Sequence, residues 1–131
     1  MSITLNAGRQ EVIAATLTVT LGTGNDIAVQ GTYPAISVPE GAIIVGGFIN
    51  VSDATTATVD IHLGDAGVTN RYLDNIDGAA TGLTALTLTG YEYTVADTLD
   101  LLIDTADPAA AGQIELVVLY VVKGRAAFSQ G

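Results

Sequence analysis

Cysteine is absent from the chain, so disulfides and thiolate metal sites are excluded and the redox compartment leaves no mark. Tryptophan is absent and aromatics make up 5%, too few for a sugar-stacking cleft or a base-stacking platform. Basic residues are scarce: four Lys and Arg stand against 14 Asp and Glu, for a net charge of −10. Arg9, Lys123 and Arg125 lie near the termini and only Arg71 is central. Nucleic acid is a polyanion that needs clustered cations, so no nucleic-acid partner is expected. Hydrophobic residues reach 49%, yet no apolar run approaches the roughly 18 residues of a membrane span, and no membrane partner is expected. The opening "MSITLNAGRQ" has neither a basic n-region nor an apolar h-region, so no secretory leader is expected.

What remains are the residues of strands: Val, Ile, Leu and Thr in alternation, broken by Gly, Asp, Asn and Pro. Ile13, Ala15, Leu17, Val19 and Leu21 fall on one side of a strand over 11–21, with Thr16, Thr18 and Thr20 on the other. Short strands are expected over 26–32, where "YP" ends the run, over 58–63, 83–89 and 91–94, and over 99–104. Longer ones are expected over 42–52 and 113–122. The paired Gly46 and Gly47 inside the first of these suggest a bulge or a close backbone approach. The second has Ile114, Leu116, Val118 and Tyr120 on one face and Val117, Leu119 and Val121 on the other, which implies burial on both sides. One short helical turn within 74–82 is the most that any segment offers. The expected fold is all-β: an antiparallel β-sandwich or jelly roll of about seven to eight strands. The domain reading is an extended arm over 1–10, one sandwich domain over 11–126 and a tail over 127–131, a size that folds without a covalent staple.

Chemistry is thinly supported. His62 is the one histidine, on the polar side of its strand with Thr58 and Asp60, and is expected to be solvated or at an interface. Ser2, Ser37, Ser52 and Ser129 lie in no nucleophile elbow. Asp53, Asp60, Asp74, Asp77, Asp97, Asp100 and Asp104 supply oxygen ligands of the kind calcium takes, but no D-x-D-x-D-G loop holds them, and a solvated acidic face is the simpler reading. "GTG" at 22–24 lacks the third glycine and the lysine of a phosphate loop, and Asn50-Val51-Ser52 sits inside an expected strand. No catalytic, cofactor-binding or metal residue is assigned, and no enzyme is expected.

The stretch most like a site is "GDAGVTNRYLDN" at 64–75. Arg71 stands there between Asp65 and Asp74 with Tyr72 beside it. A guanidinium fork favours carboxylates, and no base or nucleophile accompanies it, so Asp65, Arg71 and Asp74 read as a structural clamp over a long loop. The candidates for interfaces are the apolar Val117, Leu119 and Val121, the alternating Ile3 and Leu5 near the start, and the cations Arg9, Lys123 and Arg125. They point to a homo-oligomer, and to attachment to a partner by at least one terminus.

A Pro-Glu-Gly-Ala turn leads into "IIVGGFINV", then "TVDIHLGDAGVTNRYLDNID", "TGLTALTLTGYEYTVADTLDLLI" and the closing "AGQIELVVLYVVKGRA". From Val38 to Ala126 this order resembles the small head decoration (cement) and minor capsid structural proteins of tailed bacteriophages. The likeness is most specific at "GD…RYL", "TGYEYT" and "GRA", and the amino-terminal third shares only general character. The resemblance implies a β-sandwich on the outer capsid surface of the virion, commonly a homotrimer, whose partner is the major capsid protein. It carries no catalytic residues. The alternatives are another virion part on a similar sandwich, such as a fibre, neck or tail component, and a carbohydrate-binding or adhesive module.

Overall fold

The computed structural model describes residues 9–123 and 126–128. Its strands in chain order are β1 (Arg9–Gln10), β2 (Ile13–Thr20), β3 (Gly31–Val38), β4 (Ala42–Asp53), β5 (Asp60–Gly64), β6 (Leu73–Asp77), β7 (Gly82–Ala85), β8 (Asp97–Asp104), β9 (Gln113–Val122) and β10 (Ala126–Phe128). Two four-stranded antiparallel sheets run in the orders β2-β9-β4-β7 and β3-β8-β5-β6, and β1 pairs with β10. From β2 to β9 each strand passes to the other sheet except β5 to β6, which pair as neighbours, and the strand order is that of a jelly roll.

Alternation explains the packing. On β9, Ile114, Leu116 and Val118 are fully buried while Val117, Leu119 and Val121 are half-buried on the outside. On β8, Leu99, Leu101 and Ile103 fill the core from the other sheet. Between them lie Ile49 and Val51 of β4 and Ile61 and Leu63 of β5. The register of β4 on β9 shifts between Ile44 and Gly46, and Gly47 takes a φ of 130°. A Cβ on Gly47 would overlap the Val117 carbonyl, so that position requires glycine.

The strand expected over 26–32 is displaced. Ile27 makes only an isolated bridge to Leu21, and β3 instead runs straight through Tyr33 and Pro34. Proline is tolerated because β3 is an edge strand whose pairing with β8 shifts beside Pro34. The segment 74–82 begins with β6 rather than a helical turn, since Leu73 and Ile76 find places against β5. The strand expected over 83–89 stops at Ala85, where Leu86 turns into the core, and 91–94 contributes one bridge, Glu92 to Ile43.

Candidate functional site

The loop after β5 closes on itself through Asp65, which is 2% exposed. Its Oδ1 accepts from the backbone N–H groups of Gly67 at 3.0 Å and Val68 at 2.9 Å. Its own N–H donates to the Val68 carbonyl at 3.0 Å. The turn is tight enough that a Cβ on Gly64 would overlap the Val68 carbonyl oxygen, which is why glycine ends β5. Arg71 then returns to the same carboxylate: Nε donates to Oδ2 at 2.6 Å and Nη2 to Oδ1 at 3.3 Å.

Three tyrosines complete the cluster. Tyr93 donates its hydroxyl to Asp65 Oδ2 at 2.7 Å, and the Tyr72 and Tyr93 hydroxyls lie 2.8 Å apart. With the Tyr93 proton directed at the carboxylate, Tyr72 is the donor of that pair. Arg71 Cζ sits 3.7 Å from the centre of the Tyr91 ring, which meets Tyr93 edge-on at 5.0 Å. Tyr93 also exchanges backbone hydrogen bonds with the start of β4: its N–H donates to Ala42 at 3.0 Å and its carbonyl accepts from Gly41 at 2.7 Å. One residue therefore ties the Asp65 turn on one sheet to β4 of the other.

The electrostatics follow from this wiring. Burial pushes the Asp65 carboxyl up, but Arg71, the Tyr93 hydroxyl and the Val68 amide together hold it below the ordinary aspartate value. Its hydrogen bond to Asp65 raises Arg71. Burial, and then the hydrogen bond to Tyr72 and the neighbouring carboxylate, push the Tyr93 phenol far up, and burial raises Tyr72 as well. Five donors converge on two carboxylate oxygens, which saturates the roughly four lone-pair sites of Asp65. The arrangement holds a loop and joins two sheets.

Asp65 and Arg71 thus meet, while Asp74 does not join them. It points outward from β6 and lies 3.1 Å from His62 Nδ1 on the neighbouring β5, because strand pairing places it on that face. His62 is 8% exposed, not solvated, beneath Asp74 and the Asn75 backbone, whose N–H approaches Nδ1 at 3.3 Å. The tyrosines were the residues that sequence reasoning missed. The faint signal was the Tyr91 and Tyr93 pair two apart, with Tyr72 beside the central arginine. Among the described residues no group of three His, Asp or Glu stands close enough to hold a metal ion.

The outer face of the β2-β9-β4-β7 sheet carries the other candidates. Cross-strand pairing sets Val121 beside Ile43, Val117 beside Phe48 and Thr16, and Leu119 beside Gly46 and Ala14. Leu83 of β7, 63% exposed, continues the apolar surface at the far edge. Its charges among the described residues lie toward the ends of the strands: Glu115, paired with Asn50 and Thr18, Asp53, paired with Gln113, and Glu92, bridged to Ile43. Lys123 is exposed and 3.4 Å from Glu92. Arg9 takes its place in β1 by its backbone; Ile3, Leu5 and Arg125 lie outside the described residues.

No protein-family model matches the chain, and no curated protein sequence matches it significantly. Solved structures do. A chain of the cyanophage Pam1 capsid asymmetric unit superposes with a TM-score of 0.68 at 22% identity, over 93% of this chain and 91% of that one. A chain of the acidic stable capsid structure of Helicobacter pylori bacteriophage KHP30 gives 0.59 at 20% identity, over 86% and 93%. A chain of the capsid of Ralstonia phage GP4 gives 0.59 at 19% identity, over 95% and 92%. At these identities the likeness is one of fold, and it spans nearly the whole of each chain.

Proposed function

We propose that this chain is a structural protein of a phage particle that binds the outer surface of the capsid and stabilises it. The observation that carries the reading is the end-to-end fold likeness to chains within three phage capsid structures. The surface supports it. One sheet presents apolar Val117, Leu119, Val121, Phe48, Ile43 and Leu83 outward, and apolar area removed from water is the main driving force for association. The opposite sheet presents aspartates, which suit a face left in solvent. The polar cluster around Asp65 is saturated, so the chemistry proposed is association alone, with no catalysis.

The partner proposed is the major capsid protein. The chain is proposed to act as a homo-oligomer, with a trimer favoured by the family resemblance. The arm over 1–10 and the cations near both ends supply a second means of attachment, since edge addition gives affinity through backbone hydrogen bonds. Repeated weak contacts over a symmetric shell then add through multivalency.

The test is to find the chain in purified particles by cryo-electron microscopy, then remove and restore it. Density on the outer shell, and loss of particle thermal stability on stripping that recovers on re-addition, are expected. Density in a fibre, neck or tail, or shells equally stable without the protein, would overturn the reading.

A further inference from the structure

Four strands end the two sheets, and three carry a device that keeps a foreign strand away. β3 has Pro34 and a shifted register. β6 is five residues long and bears Asp74 and Asp77, and β7 has four residues. β2 has none of these: "IAATLTVT" is eight residues without proline, charge or bulge. Among the described strands it pairs only with β9.

The direction of its free amides can be read from its end. Thr20 sends both groups outward: its N–H donates to Asp26 Oδ2 at 3.0 Å and its carbonyl accepts from Ile27 at 3.1 Å. Leu21 points the other way, to the Gly112 carbonyl at 2.8 Å. In a strand the N–H and C=O of one residue share a direction and alternate residues oppose it. Thr18, Thr16 and Ala14 therefore aim their amides at the free edge, while Ile13, Ala15, Leu17 and Val19 aim theirs at β9. The inner side of this edge is underfilled too. Ile13, Ala15 and Leu17 are only half-buried, and a groove of about 350 Å³ opens between β2 and β3, lined in part by Leu17, Val19, Ile27, Tyr33 and Leu101.

We infer that the β2 edge pairs with the β2 edge of a second copy about a two-fold axis at Thr16. Asp26 and Ile27 cover the edge at Thr20, so the open length is Ile13 to Val19 and its midpoint is Thr16. Antiparallel pairing about that point sets Ile13 opposite Val19, Ala14 opposite Thr18, Ala15 opposite Leu17 and Thr16 opposite itself. Both members of each pair belong to the same face, so the apolar side chains of the two strands line up over the grooves. The outward amides of Ala14, Thr16 and Thr18 meet those of Thr18, Thr16 and Ala14, and each free N–H finds a carbonyl. Such an interface is self-complementary, as a two-fold contact requires. Charge favours the site: from Val12 to Asn25 the chain holds no ionisable side chain, although each copy carries a net −10. Pro34 keeps β3 out of the ladder, so the join runs through one sheet. None of this depends on the virion reading.

Thr16→Pro removes an N–H aimed at the free edge and no β2–β9 bond, and Thr16→Lys sets two cations face to face at the axis. Sedimentation of the intact wild-type chain and both variants is the test, with circular dichroism to verify folding. Each folded variant is expected to have half the particle mass of the wild type at matched concentration, a dimer falling to a monomer or two trimers joined at this edge falling to one. The loss in Thr16→Lys should recover in part at high salt, and that in Thr16→Pro should not. Should Thr16→Pro fail to fold, Thr16→Lys decides alone. Equal masses for wild type and folded variants, including a wild type that is monomeric at its highest soluble concentration, would overturn the inference. So would association that survives both variants and is lost only in Leu119→Asp.

Discussion

The two outer faces of the sandwich are built alike and behave as opposites. On the β3-β8-β5-β6 sheet, pairing sets Asp60 beside both Asp77 and Asp104, with Asp74 and Asp100 on the same surface. On the β2-β9-β4-β7 sheet the equivalent positions are Val117, Leu119, Val121, Ile43 and Phe48. Like charges opposite one another weaken a sheet, and apolar side chains in water gain nothing for the monomer. Both faces thus give up monomer stability, and the function proposed above gives each a reason: the first remains in solvent and the second is covered. The contrast teaches that the net charge of the chain is a poor guide to its surface. Paired aspartates crowd one outer face, while the middle of the other is apolar.

The contrast depends on a rigid joint between the sheets, and the joint is the easiest part to break. Asp65→Ala would strip Tyr93, Arg71 and two backbone amides of their acceptor and leave a largely buried guanidinium unpaired. A loss of about 3–5 kcal/mol is expected, read by thermal or urea unfolding. A loss below about 1 kcal/mol would show that Tyr93 holds the sheets without Asp65.

Acid should act at the same point. The Asp65 carboxyl is held below its ordinary value in the folded chain, so its contribution is complete above the unfolded pKa, near 3.9, and is lost as pH falls through the folded value. Melting temperature should therefore fall below about pH 4, and more steeply in the wild type than in Asp65→Asn. Parallel curves would remove Asp65 from the acid response.

The apolar face is tested by Leu119→Asp. Leu119 is half-buried and outward, so folding should change by less than about 1 kcal/mol. Binding to stripped capsids should weaken at least tenfold, about 1.4 kcal/mol or more, because a charge then enters a desolvated contact. Undiminished capsid binding would show that this face is not the one covered.

The acidic face gives the smallest effect. Asp77→Asn keeps an acceptor for the Ala79 N–H and removes one charge beside Asp60. A gain of about 0.2–0.5 kcal/mol is expected at low salt, fading as salt rises. A loss of stability would mean that the aspartates on this face are not in conflict.

Much of this was legible beforehand. Period-two alternation places Ile114, Leu116 and Val118 inside and Val117, Leu119 and Val121 outside without reference to any neighbour, because successive side chains must point to opposite faces. The same rule assigned Thr16 and Thr18 to the outside of β2. Gly46 and Gly47 announced the irregularity in β4. Where the reading failed, the deciding term was non-local. Pro34 reads as a strand end, and only its place at a sheet edge lets β3 continue. The segment 74–82 reads as offering a short helical turn at most, and only the free side of β5 makes its start a strand. His62 reads as solvated or at an interface on a polar face, and Asp74, twelve residues on, packs against it in the chain itself.

The central cluster divides along the same line. Asp65 and Arg71 lie six residues apart on one turn, so the sequence alone determined that a fork and a carboxylate of opposite sign would be neighbours. Alternation likewise determined which side chains face inward and that one face of β9 would stay apolar in water. Tyr93 lies 28 residues beyond Asp65 and is brought to it by β4 of the other sheet. The tertiary structure decided that contact, the choice of Asp65 over Asp74 as the partner of Arg71, and the edge position that leaves β2 open. The reason is that strand order and sheet stacking arise from non-local burial and backbone pairing, whereas the direction of a side chain along a strand is a local property of the backbone.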